Sequence, residues 1–170
     1  MQTRRGSTLK GVITISLMVV NVVFWVPILL VVALAKLIIP LAAWRRWTSA
    51  LMIWIAQAWI SCNGAIFSLL GALRLEVEGV AGLDPRSWYL VLSNHRSWVD
   101  ILVLQQAFNR RIPFLKFFLK QELIWVPFLG LAWWALDFPF MKRHSATYLQ
   151  KHPQARGEDL DATRKACERF

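Results

Sequence analysis

The sequence predicts an α/β domain behind an N-terminal hydrophobic two-helix membrane anchor. Three observations carry that expectation: two long uncharged runs near the N-terminus, no acidic residue before Glu76, and a hydrophobic pattern that changes period after Leu73. The chain has 170 residues, 56% of them hydrophobic, yet it carries 20 Lys+Arg against 10 Asp+Glu, a formal charge of +10. Its 10 Trp and 10 Phe exclude a disordered chain, which would be poor in aromatics. Cys62 and Cys167 cannot build a disulfide framework, and no paired Cys/His spacing points to structural zinc. A basic surplus points to nucleic acid or anionic lipid. No nucleic-acid-binding module is visible, and the hydrophobicity favours lipid.

The first unit, residues 1–72, reads as the anchor. Its basic residues, Arg4, Arg5, Lys10, Lys36, Arg45 and Arg46, frame the apolar runs. Gly11 to Ala35 is 25 uncharged residues. As a helix that is about 37 Å, enough for a hydrocarbon core of ~30 Å. It is too long for a usual signal-peptide core, and no clean cleavage site follows it. Trp47 to Leu73 is 27 residues and more mixed. On a helical wheel Gln57, Ser61, Gly64 and Ser68 fall within about 60° of one another. Such a small and polar stripe predicts a helix packed on protein on one side and on lipid on the other. The link between the runs places Trp44 and Trp47 around Arg45 and Arg46, a headgroup-level pattern. Three basic residues precede the first run and three follow it, so charge counting leaves spanning and re-entrant arrangements both open.

The second unit, residues 73–170, alternates strand and helix signals. Leu73-Arg74-Leu75-Glu76-Val77-Glu78 alternates as a half-buried strand does. The run Trp88 to Leu92 suits a buried parallel strand. A helix is expected over Trp98 to Phe108, a strand over Phe114 to Lys120, and a helix over Glu122 to Ala135 disturbed by Pro127. Phe138 to Lys142 reads as a strand with Pro139 pushing it toward an edge. Glu158 to Phe170 reads as an amphipathic helix, acids early and bases late.

The end of the Trp88–Leu92 segment is where an open α/β sheet places a site. There the chain reads Ser93-Asn94-His95-Arg96-Ser97-Trp98-Val99-Asp100. Five residues of one regular helix would hold His95 and Asp100 about 140° apart. They meet only if His95 sits on the loop and Asp100 on the first helical turn. A carboxylate accepting Nδ1–H would then fix the imidazole tautomer and leave Nε2 as a base. The plainer reading is that Ser97-x-x-Asp100 is a capping box and His95 an ordinary loop residue. The spacing fits both. A serine hydrolase is disfavoured because no G-x-S-x-G elbow exists around Ser93 or Ser97. His144 and His152 read as loop residues, and Trp133-Trp134 with Phe114, Phe117 and Phe118 as core or lipid-facing anchor.

Asn94-His95-x-x-x-x-Asp100 after an apolar strand, behind a hydrophobic anchor, resembles the glycerolipid acyltransferases of the lysophosphatidic acid (1-acylglycerol-3-phosphate) type. Phe117-Phe118-Leu119-Lys120-Gln121-Glu122-Leu123, then Pro127 and Gly130, also looks like that family. Asp137-Phe138-Pro139-Phe140-Met141-Lys142-Arg143 aligns with its second block, with Phe140 and Arg143 matching and Asp137 in place of a Gly. The resemblance implies that residues 73–170 are the first half of an αβ acyltransferase domain. It implies His95 as general base, oriented by Asp100, taking the proton of a lysophospholipid hydroxyl as that oxygen attacks a thioester. The co-substrate would be acyl-CoA or acyl carrier protein, with no metal, no other cofactor and no acyl-enzyme. Arg143 would hold the acceptor phosphate, with Asn94, Lys120 and Lys142 as further substrate-binding candidates. Lys142 and Arg143 point to opposite faces of a strand, so only one of them enters a site.

Between Arg86 and Arg156 there are ten Lys/Arg against Asp100, Glu122 and Asp137, which suits an anionic lysophospholipid and equally suits adhesion to a membrane. The expected location is a membrane, the bacterial inner (cytoplasmic) one. The family's third block, of Phe-Pro-Glu-Gly-Thr type, and its fourth do not occur between Met1 and Phe170. The expectation is therefore a C-terminally truncated acyltransferase, one piece of a split gene or a shortened homologue, with little turnover of its own. The alternative is a noncatalytic membrane protein that binds lipid or a partner.

Overall fold

The computed structural model describes residues 2–142, 148, 150, 163–165 and 168, with side chains from residue 8 onward. They group into two compact units, residues 1–115 and 116–170. The first unit is a helical hairpin. Helix α1 (Gln2–Ile38) and helix α2 (Ala42–Leu70) are joined at Ile39, Pro40 and Leu41, too short a link for anything but a reversal. Both are long and apolar enough to cross a membrane by length and composition.

The faces the two helices present to each other follow helical spacing. Thr48, Met52, Ile55, Ala56, Ile60, Asn63 and Phe67 are buried on α2; Thr14, Asn21, Val26, Leu29 and Ala33 are buried on α1. Steps of three and four keep such residues on one stripe. The polar members are satisfied internally. Asn21 Nδ2 donates to Asn63 Oδ1 at 2.9 Å and to the Trp59 carbonyl at 3.2 Å, while Thr14 and Thr48 donate to carbonyls one turn back. Near the link, Trp44 Nε1 donates to the Ala35 carbonyl at 3.0 Å and ties the two ends together. Gly71 closes α2 in the left-handed region at φ 56°, where a side chain would be strained.

The Gln57–Ser61–Gly64 side of α2 does pack on protein. It receives helix α3 (Trp98–Phe108) and the residue after it. Asn109 Nδ2 donates to Ser61 Oγ at 2.9 Å and to the Gln57 carbonyl at 3.2 Å, and Gln106 Nε2 donates to the Ile60 carbonyl. A Cβ at Gly64 would overlap the Gln106 amide, so the small residue there is a condition of the contact.

Strand content is lower than expected. Residues 73–78 and 88–92 join no ladder among the described residues, and Trp88, Leu90 and Leu92 are 79%, 81% and 85% exposed rather than buried. Alternation supplies a face, but a strand acquires its hydrogen bonds only from a neighbour, and neither segment has one among the described residues. The helix over Trp98–Phe108 has the expected bounds.

In the second unit, β1 (Leu119–Lys120) runs parallel to β2 (Phe140–Met141), with Leu119 opposite Phe140 and Lys120 opposite Met141. They are the kernels of the longer strands expected over 114–120 and 138–142. Between them the helix expected over 122–135 is divided into a 3₁₀ turn (Gln121–Trp125) and helix α4 (Leu129–Ala135). Pro127 lies at the break, where it supplies no amide hydrogen. Parallel strands joined by a helical crossover form the smallest α/β unit. Its interior holds Leu119, Ala132, Ala135, Leu136, Phe138 and Met141, and Phe117 stacks on Phe138 at 6.4 Å. Of the helix expected over Glu158–Phe170, residues 163–165 are described and helical, and Arg164 pairs with Glu168.

Candidate active site

Ser97 caps α3 with an extended backbone, φ −151° and ψ 164°, and Asp100 occupies the third helical position. The Asp100 carboxylate turns back to complete a capping box. Its Oδ2 accepts the backbone N–H of Ser97 at 2.7 Å and of Arg96 at 2.5 Å. Those two bonds, Ser97 first, hold the carboxyl below its ordinary value, with a smaller contribution from His95. The aspartate is thus pinned in the ionised form by main-chain donors at the helix N-terminus, where the dipole also favours an anion.

His95 stands on the loop before the cap, and its Nδ1 lies 3.7 Å from the same Asp100 Oδ2. This is ion-pair range, longer than a hydrogen bond. Asp100 Oδ2 thus makes the capping bonds and lies 3.7 Å from the imidazole without a hydrogen bond to it. The His95 side chain is 62% exposed and that of Asp100 32%. Asn94 is also exposed, and its carbonyl accepts a bond from Ser93 Oγ at 2.9 Å.

The other candidates belong to the second unit. Lys120 closes β1 and Lys142 follows β2; both are exposed at the carboxyl ends of the parallel pair, the side on which open α/β sheets take ligands. Arg143, His144, His152 and Cys167 lie outside the described residues. Sequence reasoning missed four contributors to this region. The Arg96 and Ser97 amides leave no sequence signal beyond the capping spacing, and Gln106 with Asn109 fastens the far end of the same helix to α2.

Comparison with known proteins gives one family. The acyltransferase family profile matches residues 74–167, just over half of the chain. The 1-acyl-sn-glycerol-3-phosphate acyltransferases alpha of Mus musculus, Homo sapiens and Bos taurus are each 35% identical over 75 residues, which is 44% of this chain and 25% of the relative. The chain thus aligns with about a quarter of the length of these relatives. All three are mammalian and lend nothing to the bacterial inner membrane expected from the sequence. No solved structure matches the chain.

Proposed function

This chain belongs to the acyltransferase family, and from that premise we propose that it serves membrane glycerolipid synthesis, moving a fatty acyl group from a thioester donor to the hydroxyl of a lysophospholipid such as 1-acylglycerol-3-phosphate. The observation that carries the reading is the His95–Asp100 pair at the start of α3, within the matched region. An alcohol is a weak nucleophile at neutral pH, and a positioned base is worth about 10²–10⁴-fold. In the proposed reaction His95 Nε2 takes the acceptor hydroxyl proton while Asp100 faces Nδ1. The oxygen adds to the thioester carbonyl, the thiolate leaves, and the histidine returns the proton to it. The donor is acyl-CoA or acyl carrier protein. Asn94, Lys120, Lys142 and Arg143 are the proposed acceptor contacts, positive charge meeting phosphate. Two membrane-length helices fit an acceptor that lives in a bilayer.

The test uses membranes containing the full chain, lysophosphatidic acid and labelled acyl-CoA. Turnover by this chain should be low, and His95→Ala should remove what there is, a positioned base being worth about 10²–10⁴-fold; Asp100→Ala should lower it in the same direction. Turnover that His95→Ala leaves unchanged overturns the assignment. The exposure of His95 favours one second reading, since electrostatic help is weakest in water. The chain would then bind lysolipid without converting it. Binding in mixed micelles with no product under any donor would select that reading.

A further inference from the structure

Leu123 to Leu136 is a run of 14 residues without a charged, amide or hydroxyl side chain. Runs of that length are either core helices or interfacial segments, and burial decides between them. Here the packing is inverted relative to a helix that covers a water-soluble core. Helix α4 turns its small residues, Gly130, Ala132 and Ala135, inward, at 8% exposure or less for the two alanines. A Cβ at Gly130 would overlap the Ile124 carbonyl oxygen, so the inward face is closed to anything larger. Leu129 and Trp133 are half-buried and Leu136 is buried, but four large residues go outward. Phe128, Leu131 and Trp134, three apart in sequence, are 50%, 54% and 52% exposed, and Trp125 before them is 85% exposed. Small residues toward protein and bulky apolar ones away from it is the arrangement of helices that meet lipid. Trp and Phe are the residues of membrane–water interfaces.

We propose that the Trp125, Phe128, Leu131 and Trp134 face of the second unit is a lipid-contacting surface, seated in the headgroup and upper acyl region of a bilayer. It is distinct from the hairpin and does not depend on the acyltransfer chemistry. It does rest on the hairpin being in a membrane. The two units are consecutive in one chain, joined at Leu115–Lys116. Lys120 precedes the apolar run and Lys142 follows it, exposed cations whose charge suits phosphates at its margins.

The experiment places an environment-sensitive nitrobenzoxadiazole label on Leu131→Cys in the full chain, with Cys62 and Cys167 changed to Ser. The protein is reconstituted in phosphatidylcholine–phosphatidylglycerol vesicles. Lipids spin-labelled near the headgroup should reduce emission about twofold or more, as expected for a group buried a few ångströms below the headgroups, while aqueous iodide should have little effect. The same label at Trp125 guards against a local artefact, and Val19→Cys in α1 reports whether the hairpin is in the bilayer. Iodide quenching at Leu131 equal to that of a label at Arg86→Cys would put the face in water and overturn the proposal. Quenching by neither reagent would show protein covering the face, which also overturns it. Failure of lipid quenching at Val19 as well would remove the membrane and overturn both readings; success at Val19 alone defeats only this one.

Discussion

Asp100 is the residue on which local structure and proposed chemistry converge. Its two main-chain bonds are made by the ionised carboxylate, which is why its affinity for protons is depressed. A group with a lowered folded-state value contributes stability above its unfolded value, near pH 4, and loses it as pH falls through the folded value. The first turn of α3 should therefore loosen on acidification below about pH 4, seen as faster amide exchange at Arg96 and Ser97. Asp100→Asn should exchange faster already at neutral pH and show no such acid step. An unchanged acid step in Asp100→Asn would assign it to another group. The His95–Asp100 meeting was readable in the sequence as a condition, loop histidine plus first-turn aspartate, because capping geometry is local. What could not be read was that Oδ2 takes two main-chain N–H donors and stays 3.7 Å from the imidazole, since that depends on a rotamer and on the backbone path at Arg96.

Among the elements, helices were legible and strands much less so, for one physical reason. A helix satisfies its hydrogen bonds within its own segment, so caps and periodicity at Ser97 and Asn109 suffice to bound α3. A strand satisfies them elsewhere, so Leu73–Glu78 and Trp88–Leu92 show a strand pattern without strand structure among the described residues. The polar stripe of α2 was legible as a packing face, but its partner was not, because Gln106 and Asn109 lie more than 40 residues away. That contact gives a prediction. Gly64→Val should displace the Gln106 amide, speeding exchange along α3 while the buried Asn21–Asn63 pair keeps the hairpin protected. In the second unit Gly130→Ala meets backbone instead of a movable side chain. It should lower stability by about 1–3 kcal/mol, the usual range for overpacking, measurable as a lower urea midpoint in micelles. Gly130→Ala at native stability would mean that the 3₁₀ turn yields, and that Ile124 does not fix α4.

At the scale of the whole molecule the +10 charge and the apolar helices make separable claims about how the chain holds a membrane. Electrostatic adhesion of Lys and Arg to anionic headgroups is worth about 1 kcal/mol per residue and acts only within a Debye length. At 1 M salt that length is ~3 Å, so attachment by charge alone is lost. The outward faces of α1 and α2 leave Val19, Val20, Phe24, Val31, Leu34 and Trp54 more than half exposed. Each apolar side chain moved from water to lipid gains about 1.5–3 kcal/mol, and salt does not weaken that gain. Six such residues on the hairpin therefore outweigh the whole basic surplus under washing conditions. Membranes bearing the chain should retain it through 1 M NaCl and through alkaline carbonate, and release it only to detergent. Replacing Arg45 and Arg46 by Gln should leave that retention unchanged while weakening any preference for anionic over neutral vesicles. Release by salt would mean that the hairpin is not immersed and that charge is the anchor. Retention in the Arg45→Gln/Arg46→Gln variant, with the anionic preference reduced, separates the two forces: apolar surface sets how firmly the chain is held, and basic residues set which lipids surround it.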